Sequence, residues 1–380
     1  KGGEPVGAIG VISDGLYSID PNIGDYDNDK DELIAMAGTV GFEPPFDIKG
    51  NRITVEGKNF RFTDRKIRSI RSNPLNALPY DQVPSSVGGL TPIGTYFDGT
   101  IRPGTIFGTG PSGYRANSTG DYGTLNAFVL VDSNDQPRFP PRDGTEGTAE
   151  SLTANEVKTI IRNALAIAFR ARGQIRRPLG SHAQVTVSIV DTNGAILGIA
   201  RTPDGPVFGT DVSLQKARTA AFFSNTNAAA DLIRGNLGNY WLAAQAVLGP
   251  GALSDGTAFA DRSGGNLSRP FFPDGIDGAP HGPFSKPFAE WSPFNTGLQL
   301  DLIAANIVAH RSFLLGQSPT DTPMNCSPIP IRPQTSKSPV ANGIQIFPGS
   351  VPIYRNTTLI GGIGVSGDGI DQDDMISFLG

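Results

Sequence analysis

The pattern closest to a chemical site is an acidic loop near the start of the chain. In Asp20-Pro-Asn-Ile-Gly-Asp-Tyr-Asp-Asn-Asp-Lys-Asp-Glu32, the residues Asp25, Asp27, Asp29 and Asp31 fall two apart. Alternate oxygens at that spacing can converge on a hard cation such as calcium. The loop lacks a glycine at its sixth position, and Met36 stands where a bidentate glutamate would close a calcium loop. The other reading is a solvated acidic loop that caps the helix after it. Arg170, Arg172, Arg176 and Arg177 crowd around Gly173, where they suit the negative end of a helix or could hold an anion. No phosphate-binding GxxxxGK loop, Gly-x-Ser-x-Gly elbow, HExxH or CxxC occurs.

Composition narrows the class. The chain has 380 residues, 38% hydrophobic and 18% charged, as expected of a globular protein with a sizeable core. With 48 glycines and 31 prolines, its loops are long. A net charge of −5 without a basic stripe argues against nucleic acid. No apolar run approaches a membrane span. The single cysteine, Cys326, excludes an internal disulfide framework. Loops rich in Asn, Gly and Asp, with few lysines, favour a periplasmic or extracellular setting.

The elements that would position such residues are clearest at 151–224. Ser151 or Thr153 can cap a helix, with Glu156 placed for a capping box. Val157, Ile160, Ile161, Ala164, Leu165 and Ala168 follow at helical spacing, and the helix should end near Gly173. Gln184 to Asp191 alternates as a strand. Thr192-Asn-Gly194 turns it, and Ala195 to Arg201 returns. Asp211 to Phe223 reads as a second helix capped by Asp211.

The last stretch, Phe347 to Gly380, holds a glycine-broken strand, Leu359 to Val365, and then Asp371 to Gly380 as a helix opened by acids. The chain opens on similar text. Val6 to Val11 matches Ile360 to Val365, and Asp29 to Gly38 matches Asp371 to Gly380. We therefore read 1–41 as the tail of a first repeat and 42–150 as a β-rich, irregular connector. In the connector, Arg52 to Phe62 forms a hairpin around Gly-Lys-Asn, and Asn126 to Asp132 forms a strand. The second domain covers 151–380, with an insertion at 225–346. That insertion should hold helices at Asn227–Leu248 and Leu298–Leu315 and a proline-rich return at 319–339.

The Lys-Ala-Arg-Thr-Ala-Ala string (Lys216 to Ala221), PG-VPIY, Gly-Gly-Ile-Gly-Val-Ser-Gly (Gly361 to Gly367) and DQDD, in that order, resemble the haem-binding HbpS/GlcG-like family, to which PduO-type domains are related. The resemblance covers about 151–224 and 347–380, with the partial copy at 1–41. It implies an α+β fold, an antiparallel sheet with packed helices of profilin-like kind, here duplicated. It also implies oligomers, as a homo-oligomer or with other protein subunits.

Haem as cofactor requires an axial ligand and basic groups for its propionates. Among His182, His281 and His310, the proline- and aromatic-rich loop around His281 is the most pocket-like. Met324 and Cys326 form a soft-ligand pair. The resemblance makes Arg201, Lys216, Arg218, Thr219, Gly364 and Ser366 the rest of a ligand-binding set. The alternative is that Lys216 and Arg218 pair with Asp371, Asp373 and Asp374. The sequence thus suggests a non-catalytic binder of a tetrapyrrole or similar flat hydrophobic ligand. Two alternatives stand beside it: a structural or interaction protein that kept the fold without a ligand, and an enzyme acting on a small metabolite.

Overall fold

A computed structural model describes residues 7–13, 25–89, 105–118, 120–291, 297–322 and 325–380. The chain divides into two units, Lys1–Gly99 and Thr100–Gly380.

The N-terminal unit has one α-helix among its described residues, α1 (Lys30–Gly38). Asp29 caps it, accepting from the N–H groups of Asp31 and Glu32. A short hairpin, β1 (Thr54–Val55) and β2 (Lys58–Asn59), turns at Glu56-Gly57 rather than at Gly-Lys-Asn. Both turn residues have positive φ, 51° and 77°, which matches the right-handed twist of a two-residue hairpin. Residues 7–13 form no strand, contrary to the expectation for Val6 to Val11. Val6 itself lies outside the described residues. The glycine run 359–365 is a strand because neighbours pair with it on both sides, and residues 7–13 show no such pairing.

The C-terminal unit is α+β. Its six-stranded antiparallel sheet contains β3 (Tyr114–Ala116), β4 (Phe128–Leu130), β5 (Thr186–Val190), β6 (Ile196–Arg201), β7 (Ser350–Arg355) and β8 (Thr358–Ser366), in the order β3-β4-β6-β5-β8-β7. The strand expected at Asn126 to Asp132 forms as β4 and, together with β3 from text read as irregular connector, extends this sheet, with Phe128 opposite Arg201. The β5–β6 hairpin turns at Thr192-Asn-Gly194 as expected. The buried Asp191 carboxylate holds the turn, accepting from the N–H groups of Thr145, Asn193 and Ala195 and from the Thr145 hydroxyl.

Alternation gives the sheet two buried faces. Val187, Ile189, Ile363 and Val365 share a core with helix α2 (Ala154–Ala168) and with Ile376 of α8 (Ile370–Leu379). The Thr153–Glu156 capping box forms, and Glu156 also holds Arg355 at 2.9 Å. On the other face lies α3 (Gly209–Phe223). Its N-cap is Phe208, not Asp211, whose carboxylate instead accepts from Asn342 at 3.0 Å.

The insertion builds a second core on the end of α3, in which Leu232, Tyr240, Phe284 and Leu298 pack with Phe222 and Phe223 of that helix. It contains α4 (Ala228–Arg234), α5 (Gly238–Leu248), α6 (Asp261–Leu267) and α7 (Leu298–Leu314). The single helix expected over 227–248 is broken at Gly235-Asn236-Leu237, where Asn236 takes φ 59°. With sheet on one side and insertion on the other, α3 is buried nearly all round.

Candidate functional site

The candidate residues gather on α3 because β8 lets that helix come close. A Cβ at Gly364 would stand 2.0 Å from the Ser213 carbonyl oxygen and 2.4 Å from the Ala217 nitrogen, and one at Gly362 2.4 Å from the Ala217 carbonyl oxygen. Both positions must therefore be glycine for helix backbone to lie on strand backbone. Opposite Gly364, Ser188 and Ser213 share a hydroxyl hydrogen bond of 2.7 Å. Ser366 is buried on the same face.

Lys216 is 2% exposed. Its ammonium donates to the Val365 carbonyl at 2.9 Å and to Asp373 Oδ2 at 3.0 Å. Burial raises the Asp373 pKa, opposed by Lys216 and by the N–H groups of Gly367 and Asp368. Asp261, at the start of α6, lies fully buried in the same neighbourhood. Desolvation pushes its carboxyl well above the usual range, and Lys216 offsets this only in part. Neither Asp261 oxygen completes a hydrogen bond, although Ser350 and Thr219 favour its ionised form slightly.

Arg218 does not join the acidic cluster. It donates to the Gly194 carbonyl at 3.0 Å and to Asn342 Oδ1 at 2.6 Å, and burial lowers its pKa to about 10. Thr219 accepts from the Gln345 N–H at 2.8 Å. Asp371 and Asp374 are both held by Arg262 of the insertion, at 3.0 and 2.7 Å. Arg201 is buried with its guanidinium over the rings of Tyr114 and Phe107, at 4.5 and 5.5 Å, and its Nη1 has no hydrogen-bond partner. Of the predicted set, Lys216, Thr219, Gly364 and Ser366 thus come together around α3, facing protein rather than an opening. Insertion residues Asp261, Arg262, Asn342 and Gln345 supply partners that no motif in the sequence marked.

The remaining ligand candidates are dispersed. His281 is exposed, its Nδ1 3.0 Å from the Gly282 carbonyl. His310 is exposed and bonded to Asp321 at 2.7 Å. His182 is half-buried against Phe169. Met324 lies outside the described residues. Cys326 is an exposed free thiol whose pKa burial of the sulfur nonetheless raises. Calcium finds no support. Asp29 is committed to capping α1, Asp31 accepts from the Ser13 N–H, and no acidic or His/Cys group among the described residues is arranged to hold a metal.

An open groove of about 330 Å³ lies between α2 and the β7–β8 hairpin. Ile160, Ile353, Tyr354, Arg355 and Ile360 line it. It offers apolar walls, an aromatic ring and one guanidinium.

Residues 305–378 match the family described as haem degrading protein HbpS-like. They run from within α7 through β7 and β8 into α8. Solved structures with similarity include a PduOC–haem complex (16% identity, 60% of this chain and 91% of that one, TM-score 0.26). Protein ORFY of Klebsiella pneumoniae (16%, 62% and 90%, 0.27) and HbpS (15%, 62% and 92%, 0.26) are others. No curated protein matches. Over 305–378, a stretch that holds β7, β8 and most of α8, the chain is similar to the HbpS-like family.

Proposed function

We propose that the chain is a binding protein of the haem-binding HbpS/GlcG-like kind, taking a tetrapyrrole or a similar flat hydrophobic ligand. The observation that carries this reading is the family match over 305–378. Because the α3 residues are committed to internal partners, we assign the ligand to the groove between α2 and β7–β8. There Ile160, Ile353 and Ile360 would meet a ring, and a ligand carboxylate would compete with Glu156 for Arg355. Haemin titrated into the protein should give a shifted Soret band, weakened by Ile353→Glu. An unchanged haemin spectrum with wild type rejects the reading. A Soret band that persists under a reductant supports binding without turnover, whereas its decay would assign the protein a catalytic role.

The second reading, an interaction protein without a ligand, is favoured by the burial of Lys216, Arg218 and Thr219 beneath the insertion. Homo-oligomerisation belongs to both readings. Leu242 and Val247 of α5 and Ile307 and Val308 of α7 are exposed, as a subunit contact requires. Light scattering tests it, and a monomer at all concentrations rejects it. A periplasmic or extracellular location is part of the same proposal, and cell fractionation tests it.

A further inference from the structure

The N-terminal unit repeats, bond for bond, one detail of the C-terminal unit. Aligning Val6–Val11 with Ile360–Val365 and Asp29–Gly38 with Asp371–Gly380 places Ser13 opposite Gly367 and Asp31 opposite Asp373. In the C-terminal unit the Gly367 N–H donates to Asp373 Oδ2 at 3.3 Å. In the N-terminal unit the Ser13 N–H donates to Asp31 Oδ2 at 3.0 Å. Both carboxylates are buried, Asp31 at 6% exposure and Asp373 at 3%. One hydrogen bond between the glycine segment and the acidic helix is therefore common to both places.

What differs is the cover. Ile376 and Ile363 are 0% and 2% exposed, buried by α2 and the sheet. Their counterparts Ile34 and Ile9 are 52% and 46% exposed. Gly364 lies against the backbone of α3, whereas nothing stands within 4 Å of a Cβ at its counterpart Gly10. Ile9 and Met36 also line an open cavity of about 730 Å³.

We infer that this face is one part of a second HbpS-like domain and takes a polypeptide element equivalent to α2, β5, β6, α3 and β7. That element would present apolar side chains to Ile9 and Ile34 and close helix backbone to Gly10. The inference rests on the family reading of 305–378 but not on any ligand.

The test joins a copy of residues 151–224 and 347–355 ahead of Lys1 of the full chain. In a Cys326→Ser background, Ile34→Cys is labelled with a maleimide. The thiol should label freely in the original chain and at least about tenfold more slowly in the extended one. In extended chains, Gly10→Val should restore fast labelling, and Leu75→Cys, exposed on the same unit and not among the residues that line this cavity, should label equally fast with and without the extension. Equal labelling of Cys at position 34 in both chains overturns the inference, as does protection that Gly10→Val leaves intact. Haemin binding has no part in this readout, so its failure would leave the outcome standing.

Discussion

The Lys216 ammonium sits 3.0 Å from Asp373 Oδ2, joining the middle of α3 to the first turn of α8 across the end of β8. Both side chains are nearly inaccessible, at 3% and 4% exposure. Desolvation of such a pair is offset only while both partners and their backbone bonds are present. Lys216→Met would strand Asp373 and should cost about 3–5 kcal/mol in urea unfolding. A loss below about 1 kcal/mol would show that the pair is dispensable.

Asp261 should make stability depend on pH. Burial raises its folded pKa well above 3.8, so the folded chain keeps a proton that the unfolded chain releases. The stabilisation from that retained proton is complete below the unfolded value and is lost as pH rises through the folded value. Asp261→Asn removes the penalty of ionising a buried carboxyl. We expect the variant to be more stable than wild type at neutral pH, by about 1–3 kcal/mol, and the difference to shrink in acid. A difference that grows as pH falls would contradict this.

Two glycines should respond to alanine with opposite signs. At Gly364 the new methyl meets backbone atoms of α3 that cannot swing aside, so Gly364→Ala should lose about 3 kcal/mol or more, or fail to fold. At Gly264, inside α6, no heavy atom stands within 4 Å. Gly264→Ala should gain about 0.5–1 kcal/mol from helix propensity. Thermal melts of both variants check the pair.

Two acid-bearing contacts should rank by burial. Asp191 accepts four hydrogen bonds at the β5–β6 turn, and an asparagine has only one oxygen for those donors. Asp191→Asn should cost about 2–4 kcal/mol. Arg262 holds Asp371 and Asp374 at a wet surface, being 46% exposed, and Arg262→Ala should cost under about 1 kcal/mol. Chemical denaturation that reversed this order would be inconsistent with the burial described above.

Where local chemistry decides structure, the sequence could be read directly. The Thr153–Glu156 box and the Asn-Gly turn at 193–194 each depend on neighbours in the chain, whereas the glycine text becomes a strand only at 358–366, where β5 and β7 pair with it. The strand at Asn126 to Asp132 was legible too, whereas β3, three residues in a stretch rich in glycine, proline and serine and defined only by its pairing with β4, could not be recognised. Nor could the fate of Arg218, because Asn342 reaches it from the far end of the insertion. Lys216 was legible as half of an ion pair. Asp261, the third member of that cluster, was not, since nothing around it spells a site.

The placing of the insertion bears on how the chain acquires its fold. Ser188 pairs with Gly364, so the sheet's interior strand arrives only after the whole 225–346 segment has been synthesised. Closing so long a loop is slow compared with forming the β5–β6 hairpin. Until β8 arrives, β5 shows a bare edge and α3 lacks the glycine surface beneath it. Such an intermediate is prone to aggregate, and a nascent chain stalled inside the insertion should depend on chaperones more than a finished one does.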